Sequence, residues 1–381
     1  MKKSKVFMVL TATASVLFFS CQKDIRGTSA EQIDAAKASS TKENTAGYVY
    51  TQTNAAAGNR VVAYSRSSSG TLTWAASYPT GGNGTGAGLG SQGSVTVSDN
   101  VLLAVNAGSN SLTSFTVSGK GLEWKSTVAS GGTTPISVTV YGNLVYVVNT
   151  GGSGNISGFT LDTDGSLHPL ANSTKPLSSS ASGPAQISFV QDGAAVVVTE
   201  KNDNKIISYT INANGTPGTM HMLTSANATP FGFAVGSGGN IYVSEAAGGA
   251  PGASTVSSYH ISADGTISLI TGPVSAGQTA ACWVVVTNDE KYVYATNTGS
   301  NNVSSFNAAN DGALSVLNAV AADMKIKTPI DAALSNSSKF LYVLNSGDHS
   351  ITAMSVSNDG SLGFLQNVTG LPVGDVGLAA K

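Results

Sequence analysis

Residues 134–167 read TPISVTVYGNLVYVVNTGGSGNISGFTLDTDGSL, and this stretch decides the fold. Two strand-length runs, Thr134–Val140 and Asn143–Asn149, are rich in Val, Ile and Tyr and are parted by Tyr141-Gly142. β-branched and aromatic residues suit a pleated, half-buried surface. A third run, Gly154–Leu161, follows a Gly-rich break, and Asp164-Gly165 then leads into a fourth at Ser166-Leu167. Asp-Gly accepts the positive φ that a tight hairpin needs. Four short strands joined by turns make up one blade of a propeller.

The same unit recurs along the chain. Its second strand ends at Asn106, Asn149, Glu200, Glu245, Asn297 and Asn345, with spacings between 43 and 52 residues. That is the blade range of about 40–50 residues. Third strands read Leu112–Phe115, Ile156–Phe159, Ile206–Tyr209, Val256–Tyr259, Val303–Phe306 and Ile351–Met354, apolar at both ends and mostly small between. The last hairpin of five units carries Asp164-Gly165, Asn214-Gly215, Asp264-Gly265, Asp311-Gly312 or Asp359-Gly360. Asp162-Thr163-Asp164-Gly165 looks like the start of a calcium loop, but the pair recurs at hairpin after hairpin with no following glutamate ligand, which favours a turn.

Six complete units start near residue 90. A seventh opens at Tyr48-Val49-Tyr50 without a first strand, and the C-terminal Asp375–Ala380 aligns with the first strands Pro329–Leu334 and Pro184–Phe189. The expectation is an all-β, seven-bladed propeller of four-stranded blades over residues 46–381, closed by the C-terminal strand entering blade one. Closure removes the exposed strand edges of an open array. Neither the kelch nor the tryptophan–aspartate signature recurs.

The chain has 381 residues, 10% of them charged, and a formal net charge of −2. There is no basic excess for a nucleic-acid partner. Residues 1–20 read as an export signal, with Lys2, Lys3 and Lys5 before an apolar run from Val6 to Phe19 that is too short for an ordinary membrane span. Phe18-Phe19-Ser20-Cys21 resembles a bacterial lipobox, which implies cleavage before Cys21 and lipidation there. Gln22, rather than an aspartate, follows the cysteine, and this favours the outer membrane. Residues 21–45 then form a polar tether. The membrane is expected to be met through the lipid alone, and the domain is expected to be a monomer.

In such a fold the starts of the first strands and the ends of the second strands open on one face. Residues there converge on a funnel, where ligand sites are expected. Ser94, Ser137, Gln186, Gly232, Cys282, Asp331 and Gly377 stand at the first-strand starts. The second-strand ends are Asn106, Asn149, Glu200, Glu245, Asn297 and Asn345, with Gln52 or Asn54 in blade one. Asparagine at that place has two readings: a turn-stabilising side chain that bonds nearby backbone, or a ligand-binding amide. Glu200 and Glu245 replace it in neighbouring blades. Two carboxylates facing one funnel can have their proton affinities driven apart and serve as acid and base; the other reading is a pair of ionised rim residues, Glu200 beside Lys201 or Lys205. Asp331 is the charged member of the first-strand set. Cys282-Trp283 reads either as a nucleophile or as small core filling. His168, His221, His260 and His349 form no metal spacing, and His221 is expected on the link into blade five. No zinc motif, phosphate-cradling loop or nucleophile elbow is present, so neither metal nor cofactor is expected.

Several motifs together resemble the seven-bladed lactonase family: Gly183-Pro184-Ala185-Gln186 with Val198-Thr199-Glu200-Lys201; Pro230-Phe231-Gly232-Phe233 with Ser244-Glu245-Ala246; Cys282–Thr287 through Tyr294–Gly299; and Gly370-Leu371-Pro372 to Gly377–Ala380. The resemblance spans roughly residues 46–381. That family includes a 6-phosphogluconolactonase branch and carboxymuconate-cyclising enzymes. The resemblance implies opening or forming a lactone, with a Glu or His acid–base and arginines holding an anionic group. Glu200 matches the acidic residue, with Glu245 its partner and Asn106, Asn149, Gln186, Asn297, Asp331 and Asn345 as substrate contacts. The arginines depart from the pattern: Arg26, Arg60 and Arg66 are the only three, and blades two to seven have none. Arginine's planar fork suits anions as asparagine does not. The substrate expected is therefore a neutral or weakly acidic lactone rather than a sugar phosphate. The alternative is a non-catalytic propeller that binds a glycan or an envelope protein.

Overall fold

A computed structural model of the chain describes residues 45–325 and 327–381. The expected export signal and lipidation site at Cys21 lie outside them.

Seven antiparallel sheets form the blades, and every second strand pairs with the first and third of its own sheet. Second strands end at Asn106, Glu200, Glu245, Asn297 and Asn345, as the repeat predicts. The last strand, Val376–Ala380, pairs with Gly47–Gln52 and supplies the inner strand of blade one. Residues 315 apart in sequence are tied there, since Arg66 Nη2 donates to Lys381 O at 3.3 Å.

Blade three departs from the plain four-strand pattern. Its outer strand is split into Leu167–Pro169 and Lys175–Pro176, both paired with Asn155–Leu161. Pro169 cannot donate to the ladder, and Asn172 takes a φ of 61° in the break. Ser173 fills the gap: its Oγ accepts from Gly158 N at 2.9 Å and donates to Leu170 O at 2.6 Å.

The core lies between blades, and a tyrosine recurs in it. Tyr146, Tyr242, Tyr294 and Tyr342, each in a second strand, are fully buried. Three of them reach the following blade's last hairpin: Tyr146 Oη to Gly215 O at 2.5 Å, Tyr294 Oη to Gly360 O at 2.9 Å, and Tyr342 Oη to Gly70 O at 3.0 Å. The hairpin glycine thus does two things: it takes the positive φ, and its carbonyl is the acceptor that keys one blade to its neighbour. A buried phenol needs such a partner.

Candidate functional site

The first-strand residues form a belt of latches between blades. Ser137 Oγ of blade three accepts from Ile187 N of blade four at 3.1 Å. Gln186 of blade four bonds both backbone groups of Phe233 in blade five, at 2.7 and 2.9 Å. Asp331 of blade seven accepts from Leu378 N in the closing strand at 3.0 Å, and from Ala332 N at 2.8 Å. Its side chain is buried, and burial holds its carboxyl well above the usual carboxylate range.

Blade five carries Gly232 at this place and has no side chain to offer. Gln92, from the segment joining blades one and two, fills the position. Its side chain bonds Val284 N and O of blade six at 3.1 and 2.8 Å, and its own N–H donates to Ala185 O of blade four at 3.1 Å. A Cβ on Gly232 would lie 2.1 Å from Gln92 Oε1. Blade six also shifts the expected assignment. Trp283, not Cys282, pairs opposite Thr296 as Gln186 pairs opposite Thr199, and Cys282 falls in the bulge beside it. Cys282 is fully buried, packed with Ala185, Phe231 and Trp283.

The expected open funnel is therefore crossed by the chain itself. Residues 83–93 run over the axis as a strap. Asn54 holds its start, accepting from Thr85 N at 3.0 Å and donating to Ala87 O at 2.5 Å. Trp283 Nε1 donates to Ser91 O at 2.9 Å, and Ser91 Oγ to Ile136 O at 2.8 Å. Lys201 Nζ donates to Gly90 O at 2.6 Å. The strap contacts blades three, four and six, and that breadth explains why residues around the axis are buried.

The second-strand ends turn outward from the axis onto their own third strands. Asn106 Nδ2 donates to Ser111 and Thr113, Asn297 Nδ2 to Asn302 and Ser304, and Asn345 Nδ2 to Ser350 and Thr352, all within 3.2 Å. Asn149 Nδ2 donates to Ser130 O and Asn155 Oδ1. All four side chains are buried. Glycines cover two of the amides: a Cβ on Gly82 would meet Asn106 Cγ at 2.5 Å, and one on Gly132 would meet Asn149 Cγ at 2.6 Å. The Oδ1 atoms of Asn149 and Asn345 are left without a partner among the described residues.

The two glutamates differ sharply. Glu245 is enclosed by four hydroxyls: Ser225 and Tyr259 donate to Oε1 at 2.7 Å, and Thr255 and Ser257 to Oε2 at 2.6 and 2.7 Å. Its oxygens bond the third strand just as the asparagine amides do. Glu200 instead accepts from Ser178 N at 2.9 Å and contacts Ser178 Oγ. The same Ser178 Oγ lies 3.0 Å from Asp203 Oδ2, and Ser179 Oγ is 2.5 Å from that oxygen. A hydroxyl has one hydrogen to donate, so Ser178 cannot satisfy two ionised carboxylates at once. Burial pushes the Glu200 carboxyl up, against the pull of the Ser178 hydrogen bonds, with Asp203 adding to the rise. A protonated Glu200 donating to Ser178, which donates in turn to Asp203, satisfies every atom. Glu200 is buried while Asp203 is partly exposed, so the trio links a buried carboxyl to the surface.

His221 lies on the outer strand Pro217–Thr224 of blade four, opposite Ser208, rather than on the link into blade five. His168 pairs with Asp162 at 3.0 Å and His260 with Asn240 at 3.2 Å, both away from the axis. His349 and Asp375 face each other at 3.6 Å. Among the described residues no three His, Cys, Asp or Glu side chains are grouped to hold a metal. Sequence reasoning missed Ser178, Asp203 and the strap. Seven glycines between residues 81 and 93 were the available signal for the strap.

The family model of the seven-bladed lactonase propellers matches residues 43–178 and 252–374, more than half of the chain. Similar solved structures include a 6-phosphogluconolactonase candidate from Bacteroides fragilis (16% identity, TM-score 0.67, covering 90% of this chain and 99% of that one). A second such candidate, from Bacteroides uniformis, shares 19% identity at a TM-score of 0.67, covering 87% and 99%. The periplasmic gluconolactonase PpgL of Pseudomonas aeruginosa shares 16% at a TM-score of 0.65, covering 87% and 98%. No curated protein matches the chain in sequence. The closed ring, the seven four-stranded units and the family match agree: this chain belongs to the lactonase family of seven-bladed β-propellers.

Proposed function

We propose that the protein hydrolyses a lactone, and that the Glu200–Ser178–Asp203 trio is its acid–base. Membership in the lactonase family supports the reaction class. The observation that carries the residue assignment is the one hydroxyl shared by two carboxylates. In the form in which Glu200 has lost its proton, water attacks the lactone carbonyl and passes a proton to Asp203, and the proton moves through Ser178 into Glu200. The acyl–oxygen bond of the ring breaks, the leaving alkoxide takes the proton back, and the product is the open hydroxy acid. A carboxyl held neutral by burial is suited to give and take a proton near neutrality. Glu245 shares no hydroxyl with a second carboxylate; four hydroxyls hold it in place. The solved neighbours named for gluconolactone chemistry make gluconolactone the first substrate to try.

The test is hydrolysis of gluconolactone, 6-phosphogluconolactone and an acyl-homoserine lactone by the full chain, with Glu200→Gln and Ser178→Ala alongside. Removing a general acid–base lowers kcat by about 100-fold or more, and the rate should rise with pH along a limb above the ordinary carboxylate range. Turnover in Glu200→Gln equal to that of the parent protein would remove the assignment. No turnover of any lactone by the parent would remove the function.

We further propose that the protein works at the cell envelope, held by lipid on Cys21. The lipobox-like Phe18-Phe19-Ser20-Cys21 supports this. A Cys21→Ser chain should lose its acyl mass and leave the membrane fraction.

A further inference from the structure

Lys201 stands at the mouth of the ring, on the turn that leaves the second strand of blade four. It is partly buried, and its Nζ lies 4.9 Å from the centre of the Phe231 ring. Phe231 in turn packs against Trp283 with centroids 4.9 Å apart. A lysine withdrawn from water against aromatic faces needs an anion beside it. None is there. The ion pairs among the described residues do not include Lys201, and the neighbouring carboxylates Glu200 and Asp203 are turned to Ser178 and Ser179. The ammonium instead holds Gly90 O of the strap at 2.6 Å. Burial pulls its pKa down to about 8, which is what a cation without a counter-ion shows.

We propose that Lys201 is an anion anchor for the carboxylate of an open-chain sugar acid, and that the Gly90 carbonyl holds that carboxylate's place in the free protein. The Phe231 and Trp283 rings are buried beside the ammonium and against the strap, and once the strap gives way their apolar faces would suit the C–H faces of a polyol chain. A single ammonium is a point charge and suits a monoanion; a phosphate would call for a fork or several cations. The strap between Asn83 and Gly93 has glycine at 84, 86, 88 and 90, so it can give way where the ligand's oxygen displaces Gly90 O. This deepens the lactonase reading, because the open acid is the product of ring opening.

The experiment is calorimetric titration of the full chain with gluconate, with sorbitol and with inorganic phosphate, repeated for Lys201→Met and Lys201→Arg. Gluconate should bind saturably and more weakly as salt is raised. Sorbitol, which lacks the carboxylate, should not bind. Lys201→Met should weaken gluconate by about tenfold or more, while Lys201→Arg keeps the charge and loses less. If Lys201→Met fails to fold, Lys201→Gln serves, with thermal unfolding as the check. Gluconate affinity that survives loss of the charge overturns the proposal, as does equal binding of sorbitol, or phosphate binding tighter than gluconate. Lactone turnover is read separately. Turnover with unchanged gluconate binding in Lys201→Met sinks the anchor alone; Lys201-dependent gluconate binding without turnover sinks the hydrolase and leaves the anchor.

Discussion

At the level of single residues, the second-strand ends show one position doing one job with two chemistries. The asparagines there donate mainly to third-strand side chains, and Glu245 accepts from third-strand hydroxyls. Glu245 has four donors and no exposure to water, so Glu245→Ala leaves Ser225, Thr255, Ser257 and Tyr259 with a hole between them. Each orphaned buried group costs about 1–3 kcal/mol unless it finds a new partner. Hydroxyls can rotate toward one another, so the net loss should be about 3 kcal/mol, and Glu245→Gln should cost less. Denaturant unfolding of the three chains measures this, and an unchanged midpoint in Glu245→Ala would mean that the hydroxyl shell does not stabilise the fold. The sequence shows Glu200 and Glu245 as equivalents because their strands are equivalent. What separates them is three-dimensional: Glu245 meets Thr255 and Ser257 on its own third strand, whereas Glu200 meets Lys205 across its pair and turns to Ser178 on the link into its own blade.

Among elements, the strap is the part that the repeat conceals. Strand lengths, hairpins and ring closure were legible because each repeats a local rule: β-branched alternation, a positive-φ turn, an apolar–small–apolar third strand. Residues 83–93 obey no such rule and occur once. Their placement follows from an absence, since Gly232 leaves a latch unfilled and Gln92 supplies it from the other side of the ring. Gln92→Ala therefore removes two bonds to Val284, each worth about 1 kcal/mol net. Local rather than global loosening is expected, because the strap has few apolar contacts of its own. Hydrogen exchange followed by mass spectrometry should show faster exchange across residues 88–93 and at Val284, with the blade cores unchanged. Uniform protection throughout would show that Trp283 and Lys201 hold the strap without Gln92. The same loosening would free Gly90 from Lys201, so the strap and the proposed anchor are mechanically one unit.

For the whole molecule, stability depends on closing the ring, and one titrating pair sits at the seam. Asp375 immediately precedes the closing strand, and His349 faces it from the turn after the second strand of blade seven. At 3.6 Å the contact is an ion pair rather than a hydrogen bond. Asp375 holds the His349 imidazole above its usual pKa, against the opposing effect of partial burial, and Asp348 adds to the rise. Burial raises the Asp375 carboxyl as well, against the pull of His349. The other groups facing the pair are Tyr64, whose phenol burial, with Asp375 adding, pushes up to about 12, and Lys327, which is tied to Asp348. A group whose pKa is higher folded than unfolded binds its proton more tightly in the native state, so its contribution is full below the unfolded pKa and is lost as pH rises through the folded one. Both members of the pair have that sign. The histidine's part should fade from just above its ordinary pKa of about 6.5 upward, as the imidazole loses its charge and Asp375 is left buried without a cation. Thermal unfolding followed from mildly acid to mildly alkaline pH should therefore show a falling midpoint, and His349→Gln should flatten that slope over the histidine's range while leaving the fold intact. A slope unchanged in His349→Gln would place the pH dependence elsewhere, and the seam would then be held by strand pairing, the Asp331–Leu378 latch and the Arg66–Lys381 contact.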